Sequence, residues 1–495
     1  MEGAATGAVG LESYMTGSPF GGTSQAELGD LNKALSALHV TGRETADSQA
    51  LSGAPIKSES LERTLRSLEF TEGDLRIYQD IPKLPAYNTV EEYNRLISYG
   101  DSEGGFMAEG ELPEERDTIF ERKAELVKFV GDVRRVTHQM SLVKTAHAFG
   151  SAVALETKHG MMNVLRICNR EIVRSNASHV GVQFNGVYAQ HQAGAGVSSY
   201  TAQENVIDLR GFRLNEGNLD DAGRVISEAF GSFDTLYAPP SVLGGFVKAF
   251  YPDGRYMYPS AADTTVGFAA TKAQTQWGSI NLKYDKFMQK RPAKTAASGT
   301  TAGACPPNPI AVGAAVAAGV GSKFAAADAG DYFYAVSAFN KYGESQITLI
   351  NAGLAAAVIA GAAVDLTFTE GAPISGRPTE AYRIYRAVVD EATPLTAEYF
   401  PIFDISAADL ANGYDGAAVL SIRDNNHYMI NCQSAFLLQN SLDQWSYKQL
   451  APIMKVELAM TTLAYKFAVV QYGTPILYQP PKVVRFINVG DTPTP

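Results

Sequence analysis

The sequence predicts a mixed α+β fold that is interrupted by an inserted all-β sandwich. Segments with helical periodicity and segments with strand-like alternation follow one another up to residue 295. Residues 296–375 then carry only seven charged side chains in 80, and several short strand-like runs lie between 331 and 420. Charged, aromatic sequence resumes at 421. The host fold is therefore expected to continue on both sides of the insertion.

The bulk composition is that of a large globular protein. At 495 residues with 45% hydrophobic residues, the chain can form two to four domains. A formal net charge of −11 argues against a protein that coats nucleic acid with its whole surface. Three cysteines make no disulfide framework, and none has CxxC spacing. We expect neither a signal peptide at residues 1–22 nor a membrane span, because the most apolar window, 352–364, is too short.

The first 85 residues are predicted to form an N-terminal arm. Residues 1–60 are rich in small residues and contain one helical candidate, in which leucines recur at spacings of three and four and form one apolar stripe. Pro82 and Pro85 then favour an extended connection. A stripe on an otherwise polar arm needs a surface to lie on. The candidate contact residues are Leu28, Leu31 and Leu35.

Residues 109–135 are unusually charged, with 14 charged side chains in 27. The segment 121–140, "ERKAELVKFVGDVRRVTHQM", alternates enough to form strands. We predict a long, charged, protruding β-hairpin within 86–140; a solvated surface loop is the alternative. The candidate contact residues in this region are Arg116, Glu121, Arg122, Lys123, Lys128 and Arg134.

Residues 152–177 are predicted to form the longest helix. Its apolar face is expected to contain Met161, Leu165, Cys168 and Ile172. A basic face contains Arg166, Arg170 and Arg174, which could face nucleic acid or pair with acidic groups of a neighbouring subunit; we favour pairing.

Residues 201–295 read as alternating strands and helices. A strand is expected in 205–214 and a helix in 217–230, opened by Asn218. Residues 233–251, "FDTLYAPPSVLGGFVKAFY", predict a strand, a Pro-Pro turn and a helix capped by Ser241. The predicted buried face of this last helix contains Val242, Phe246 and Phe250.

The insertion, residues 296–420, carries local strand patterns of a known kind. Residues 331–345, "DYFYAVSAFNKYGES", resemble a strand and turn of a fibronectin type III or immunoglobulin-like sandwich. In the fibronectin family a "YRIYRA"-like strand precedes this one, whereas here 382–387 follows it. The resemblance therefore implies an immunoglobulin-like sandwich, either permuted or sharing only local strand chemistry.

No motif in the chain points to catalysis. It has no GxSxG, no HExxH and no P-loop, and its seven histidines show no metal-ligand spacing. Asp220 and Asp221 fit the first turn of a helix better than a catalytic carboxylate pair. We therefore expect a structural protein with no cofactor and no metal.

The order of the segments resembles the major capsid proteins of tailed bacteriophages, which have the Hong Kong 97-type coat fold. Residues 59–100 resemble the arm region, 104–140 the extended loop, 152–177 the spine helix, 233–251 an axial-domain segment, and 445–490 the return to the peripheral domain. The implied domains are the arm (1–85), extended-loop hairpin region (86–140), peripheral domain (141–200), axial domain (201–295), inserted sandwich (296–420), axial return (421–450) and peripheral return with the C-terminus (451–495).

The resemblance implies a structural, non-enzymatic role in the virion. Copies would assemble in the host cytoplasm into hexamers and pentamers around double-stranded DNA, which they would contact weakly and non-specifically. Scaffolding, portal and decoration proteins are further implied partners, and the sandwich would face outwards. The alternative reading is a phage or surface adhesion protein whose sandwich recognises a glycan.

Overall fold

The computed structural model describes residues 69–100, 106–112, 115–142, 151–193, 205–254, 270–296, 305–319, 321–372, 374–412, 419–460 and 462–492. The chain divides into two compact units, Met1–Ser67 with Ala146–Phe149, and Leu68–Thr145 with Gly150–Pro495. All the described residues belong to the second unit. The predicted leucine stripe of the arm lies outside them.

The helices of the described part are α1 (Arg76–Asp80), α2 (His138–Leu142), α3 (Ala152–Arg174), α4 (Val187–Ala193), α5 (Glu216–Glu228), α6 (Pro240–Gly254) and α7 (Ala407–Asn412). The strands are β1 (Lys83–Pro85), β2 (Val90–Ser98), β3 (Ile119–Leu126), β4 (Lys128–Thr137), β5 (Val206–Asp208), β6 (Thr235–Ala238), β7 (Lys272–Thr275), β8 (Gly278–Tyr284), β9 (Ile310–Ala318), β10 (Gly330–Tyr332), β11 (Tyr334–Asn340), β12 (Gly343–Glu344), β13 (Thr348–Leu349), β14 (Ala356–Val358), β15 (Ala362–Thr369), β16 (Ala381–Ala387), β17 (Tyr399–Ser406), β18 (Val419–Asp424), β19 (Gln433–Leu438), β20 (Trp445–Glu457), β21 (Ala464–Leu477) and β22 (Val484–Val489). The α+β class is confirmed.

The long helix α3 packs on a four-stranded sheet of order β1-β20-β21-β4. Ser151 caps it, because its hydroxyl accepts a hydrogen bond from the Ala154 amide at 3.2 Å. The helix approaches the sheet closely at Gly160, where an added Cβ would lie 3.1 Å from Val469 Cγ2. It ends at Arg174, three residues before the predicted end.

The buried stripe of α3 differs from the predicted one at its first member. Val164, Cys168 and Ile172 are fully buried, and Leu165 packs beside them. Met161 is exposed instead. The stripe that faces the sheet therefore runs from Gly160 through Val164 to Cys168 and Ile172, and Met161 lies at its edge.

A six-stranded sheet of order β5-β22-β19-β6-β8-β7 forms the second layer system, with α5 and α6 packed against it. Asn215, not Asn218, caps α5, because its side chain accepts from the Asn218 amide at 2.8 Å. Helix α6 begins at Pro240, which suits a first helical position because its missing N–H has no intrahelical partner there. Val242 and Phe246 are buried as predicted.

Both sheets join chain segments from before and after the insertion. Strands β6 and β8 precede residue 292, while β19 and β22 follow 421, and all four lie side by side in the six-stranded sheet. Strand β20 joins the four-stranded sheet from Trp445 onwards, and β22 lies in the six-stranded sheet. The predicted domain boundaries stay a prediction.

The inserted segment contains a two-stranded sheet, β10-β14, and two larger sheets that share one core. One larger sheet contains β12, β11, β16, β17 and β13; the other has the order β18-β15-β9. Val336 and Ile384 from the first sheet share one apolar cluster with Val364 and Leu366 from the second. Strand β18 ends at Asp424, so the sandwich extends beyond the predicted boundary at 420. The immunoglobulin-like character of this sandwich stays a prediction.

Candidate assembly surface

The charged segment predicted to form one hairpin is divided between two structures. Strand β3 pairs antiparallel with β2, and neither strand pairs with any other in the described residues. Strand β4 instead pairs with β21 in the four-stranded sheet. The predicted hairpin exists, but its strands are 90–98 and 119–126, because β4 finds a longer partner in β21. We call β2 and β3 with their connection, residues 90–126, the extended hairpin.

The base of the extended hairpin is attached to the body of the protein. Arg95 Nη2 donates to the Leu477 carbonyl and to the Tyr93 hydroxyl, both at 2.9 Å. The Tyr93 ring packs edge-on against Tyr478 with centroids 5.2 Å apart. On β3, the Asn185 amide donates to Glu125 Oε2 at 3.3 Å. These contacts set the direction in which the hairpin leaves the body.

The outward face of the extended hairpin combines apolar and charged side chains. Leu96 lies directly opposite Phe120 in the register, and Phe120 is 70% exposed. Towards the tip, Phe106 is fully exposed, as is almost all of Leu112. A hairpin of two strands is marginally stable alone, and apolar side chains grouped on an exposed surface mark interaction sites. This face is therefore the part of the described chain best suited to cover another protein surface.

The sequence pattern did not predict the apolar character of the hairpin, because charged residues dominate its composition. The signal was present in 104–112, "GGFMAEGEL", where apolar residues stand among glycines and acids without the period of a buried strand. Only the tertiary structure shows that no part of the described chain covers them.

The predicted hairpin charges form exposed pairs within the chain. Arg122 Nη1 lies 3.4 Å from Glu92 Oε2 across the two strands, and Lys123 Nζ lies 2.6 Å from Glu121 Oε1 along β3. Arg116 is exposed ahead of β3. Exposed pairs contribute about 0–1 kcal/mol each, so these side chains can exchange partners at little cost. Their contact role stays a prediction.

Lys128 and Arg134 lie on β4, away from the free strands of the hairpin. Lys128 Nζ donates to the Gly181 carbonyl at 2.8 Å. Arg134 pairs with Asp132 at 2.8 Å and with Glu156 of α3 at 3.7 Å. Both side chains therefore have structural partners in their own subunit.

A second exposed apolar surface lies at the opposite end of the four-stranded sheet. It follows the end of β4, helix α2 and the turn between β20 and β21, and we call it the distal patch. Its exposed members are Val133, Met140, Leu142, Leu458, Met460 and Leu463. The protein thus presents two apolar surfaces at separate places on one body.

The predicted basic face of α3 is not a continuous exposed surface. Arg166 Nη2 donates a hydrogen bond to Asn163 Oδ1 at 2.6 Å, and its guanidinium lies over the Phe70 ring. Arg170 forms an ion pair with the adjacent Glu171 at 2.7 Å. Arg174 lies in the wall of a cavity that opens to solvent, and burial lowers its pKa to about 10. Arg170 therefore has an acidic partner in its own chain, and the favoured pairing of this face with a neighbouring subunit stays a prediction.

The described residues lack a candidate metal site and a membrane-spanning helix. They contain no group of three or more His, Cys, Asp or Glu side chains that could hold a metal ion. None of the helices in the described ranges is long and apolar enough to cross a membrane. Cys168, Cys305 and Cys432 are buried free thiols.

The chain is related in sequence to phage major capsid proteins over most of its length. It is 24% identical over 456 residues to the major capsid protein of Staphylococcus phage S25-3, which covers 90% of this chain and 92% of the relative. It is 23% identical over 462 residues to the putative major capsid protein of Enterococcus phage phiEF24C, covering 91% and 93%. The predicted resemblance is thereby confirmed. No protein-family model matches the chain.

Solved structures of low sequence identity align over similar lengths. The capsid of the native GTA particle aligns with a TM-score of 0.47 at 8% identity, covering 90% of this chain and all of that one. A structure from Mycobacterium phage Bobi aligns with a TM-score of 0.40 at 8% identity, covering 88% and 97%. Because both TM-scores lie below 0.5, the relationship to phage major capsid proteins rests on the sequence relatives alone.

Proposed function

We propose that this chain is a phage major capsid protein, a structural subunit of the Hong Kong 97-type that builds an icosahedral shell. The observation that carries the proposal is the sequence relationship to major capsid proteins across about 90% of the chain. Those relatives are structural proteins, and the described residues contain no candidate metal cluster. A non-enzymatic role in the virion capsid follows.

The extended hairpin supports the proposal physically. Subunits of a closed shell need heterologous contacts that close into rings, here hexamers and pentamers. The hairpin has an anchored base, two strands without further pairing partners in the described residues, and an outward face that contains Leu96 and Phe120. Burying such side chains on a neighbouring copy is worth about 1.5–3 kcal/mol each when burial is complete. We propose that this burial drives assembly.

The exposed charges of the hairpin would serve orientation more than strength. Pairs such as Arg122 with Glu92 are worth little in isolation. Repeated around a ring, however, charges of alternating sign disfavour wrong registers. The proposal further includes weak contact with packaged double-stranded DNA, assembly in the host cytoplasm, and scaffolding, portal and decoration proteins as partners.

The sandwich is proposed to be an outward-facing decoration of the shell. It is inserted between β8 and β19, which both belong to the six-stranded sheet, so its removal need not interrupt either host sheet. Glycan recognition by the sandwich is the alternative role. If a chain lacking 296–424 still assembles, the sandwich is not needed for the shell, and loss of host attachment alone would assign it a binding role.

Electron microscopy of the purified full-length chain, with sedimentation analysis, tests the proposal. We expect capsomers or closed shells, formed alone or with the phage's own assembly proteins. A protein that stays strictly monomeric at high concentration under both conditions would contradict it. The matched control is a chain in which an exposed apolar residue of the sandwich, Leu395, is changed to serine; it should assemble as the unchanged chain does.

A further inference from the structure

A cavity of about 720 Å³, open to solvent, lies where the host fold meets the sandwich. Its wall combines the end of α3, the segment after β8, strand β22 of the host, and strands β16 and β17 of the sandwich. Five guanidinium or ammonium groups line it: Arg174, Lys290, Arg291, Arg383 and Arg485. The proposed contacts between subunits do not explain why these five cations lie together around one cavity.

Two of the five cations are neutralised by the protein itself. Arg383 donates to both oxygens of Asp404, at 2.6 and 2.7 Å, and to Glu344 at 2.7 Å. Arg291 lies 3.6 Å from the same Glu344 carboxylate. The lining acid Glu125 accepts from Asn185, and Asp409 is exposed. The lining carboxylates are therefore engaged elsewhere or face solvent.

The other three cations lack an acidic partner in the described part of the chain. No carboxylate there forms an ion pair with Arg174, Lys290 or Arg485, and Arg174 Nη2 and Arg485 Nε are buried without a hydrogen-bond acceptor among the described residues. Lys290 Nζ reaches only the Met429 carbonyl, at 3.3 Å. Arg485 stacks on the Tyr188 ring at 3.8 Å, which holds its guanidinium plane in place.

Burial makes the charges of Lys290 and Arg174 electrostatically costly. Burial, together with the charges of Arg485, Arg386 and Arg174, lowers the pKa of Lys290 to about 8 even though the nearby Cys432 opposes the shift. An uncompensated buried charge destabilises a fold, and an anion that hydrogen-bonds such charges removes the penalty. Guanidinium and ammonium groups together are the usual ligands of phosphate oxygens.

We propose that the cavity binds a phosphate-class oxyanion held by Arg174, Lys290 and Arg485. Two sources share this chemistry: free inorganic phosphate and the phosphate group of a small nucleotide. The cavity volume admits either. Because its wall contains both host and sandwich strands, bound anion would tie the inserted domain to the body of the subunit.

Isothermal titration calorimetry on the full-length chain tests the proposal, with inorganic phosphate and adenosine monophosphate as probes and chloride at matched ionic strength as the reference. We expect saturable phosphate binding and a matching rise in melting temperature. Tighter binding of the nucleotide than of inorganic phosphate would identify the organic phosphate as the source; equal or weaker binding would identify the free ion.

Lys290→Met and Arg174→Gln should each weaken phosphate binding at least tenfold. Both variants should fold, and without phosphate Lys290→Met should melt at the same temperature as the unchanged chain or higher. Lys341→Met, which removes an exposed charge from the sandwich, is the matched control and should bind phosphate normally. Absence of saturable binding, or equal binding by Lys290→Met, would overturn the proposal. Assembly lost in both cavity variants without any phosphate effect would instead assign the cations to a neighbour's carboxylate.

Discussion

Arg386 donates from Nη1 to Asp424 Oδ2 at 2.8 Å, and neither side chain is more than 3% exposed. Arg386 lies on β16 and Asp424 ends β18, so this ion pair joins the two sheets of the sandwich. The Tyr334 hydroxyl donates to the same carboxylate at 2.9 Å, and Arg386 Nη2 donates to Asn426 at 2.8 Å. The pair is thus embedded in a hydrogen-bonded network.

Removing the buried Arg386–Asp424 ion pair should lower the free energy of unfolding far more than removing the exposed Arg423–Asp365 pair beside it. Arg386→Met leaves Asp424 buried without its cation, so we expect a loss of about 3–5 kcal/mol in the free energy of unfolding. Arg423, next to Asp424, forms a bidentate pair with Asp365 at 2.6 and 2.8 Å but is exposed. Arg423→Met should therefore cost at most about 1 kcal/mol. Denaturant unfolding measures both, and equal losses would contradict the burial argument.

The stability of the protein should fall in acid through Glu344. Burial alone would raise the pKa of this carboxyl, but the charge of Arg383 and hydrogen bonds from Ser337 and Lys294 outweigh it and lower the pKa to about 2. The folded state thus holds the carboxylate unprotonated between about pH 4.5 and 2, while the unfolded state takes up a proton. Glu344 therefore makes its full contribution to the free energy of unfolding above about pH 4.5, and this contribution is lost as the pH falls through about 2.

Glu344→Gln tests this dependence. The variant should be less stable than the unchanged chain at pH 7, and the difference should shrink as the pH falls towards 2, because the wild-type carboxyl then becomes protonated too. Thermal unfolding across this pH range measures it. The exposed Glu457→Gln serves as control and should follow the wild-type profile. A difference that stays constant with pH would refute the assignment.

The outward face of the extended hairpin should matter for assembly and not for folding. Phe120→Ser removes an exposed ring, so the subunit's melting temperature should change little, whereas shell or capsomer yield should fall strongly. Circular dichroism and sedimentation measure the two quantities. Arg122→Glu reverses an exposed charge and is expected to reduce assembly less than the loss of the ring. Normal particles from Phe120→Ser would show that this face is not an interface.

Close packing at Gly473 should make it intolerant of any side chain. A Cβ there would lie 2.5 Å from Tyr447 Cε1, and Tyr447 is fully buried in the sheet that packs on α3. Gly473→Ala should therefore destabilise the fold by about 1–3 kcal/mol through overpacking. Gly181→Ala, with no atom within 4 Å of the new Cβ, should change stability by less than about 0.5 kcal/mol. Denaturant unfolding distinguishes the two.

Local patterns in the sequence predicted those features that depend on neighbours in the chain. The periodicity of Cys168 and Ile172 indicated a long amphipathic helix, and the drop in charge after 295 indicated an inserted β domain. The ordered series of segments predicted the capsid relationship. Each of these signals depends on residue spacing within a few turns or on composition over tens of residues, which survives without knowledge of the fold.

Contacts between distant segments were decided by the tertiary structure alone. The charged segment 109–135 was expected to form one hairpin, but its strand β3 pairs with β2, whereas β4 pairs with β21 more than 320 residues later. Strand β16 is buried along its whole length because both of its faces are covered, which no alternation of its residues could indicate. The cavity brings together Arg174, Lys290 and Arg485, of which the first and the last are more than 300 residues apart in the chain. Spacing along a chain determines which face a residue takes on its own helix or strand, but only folding determines what that face meets.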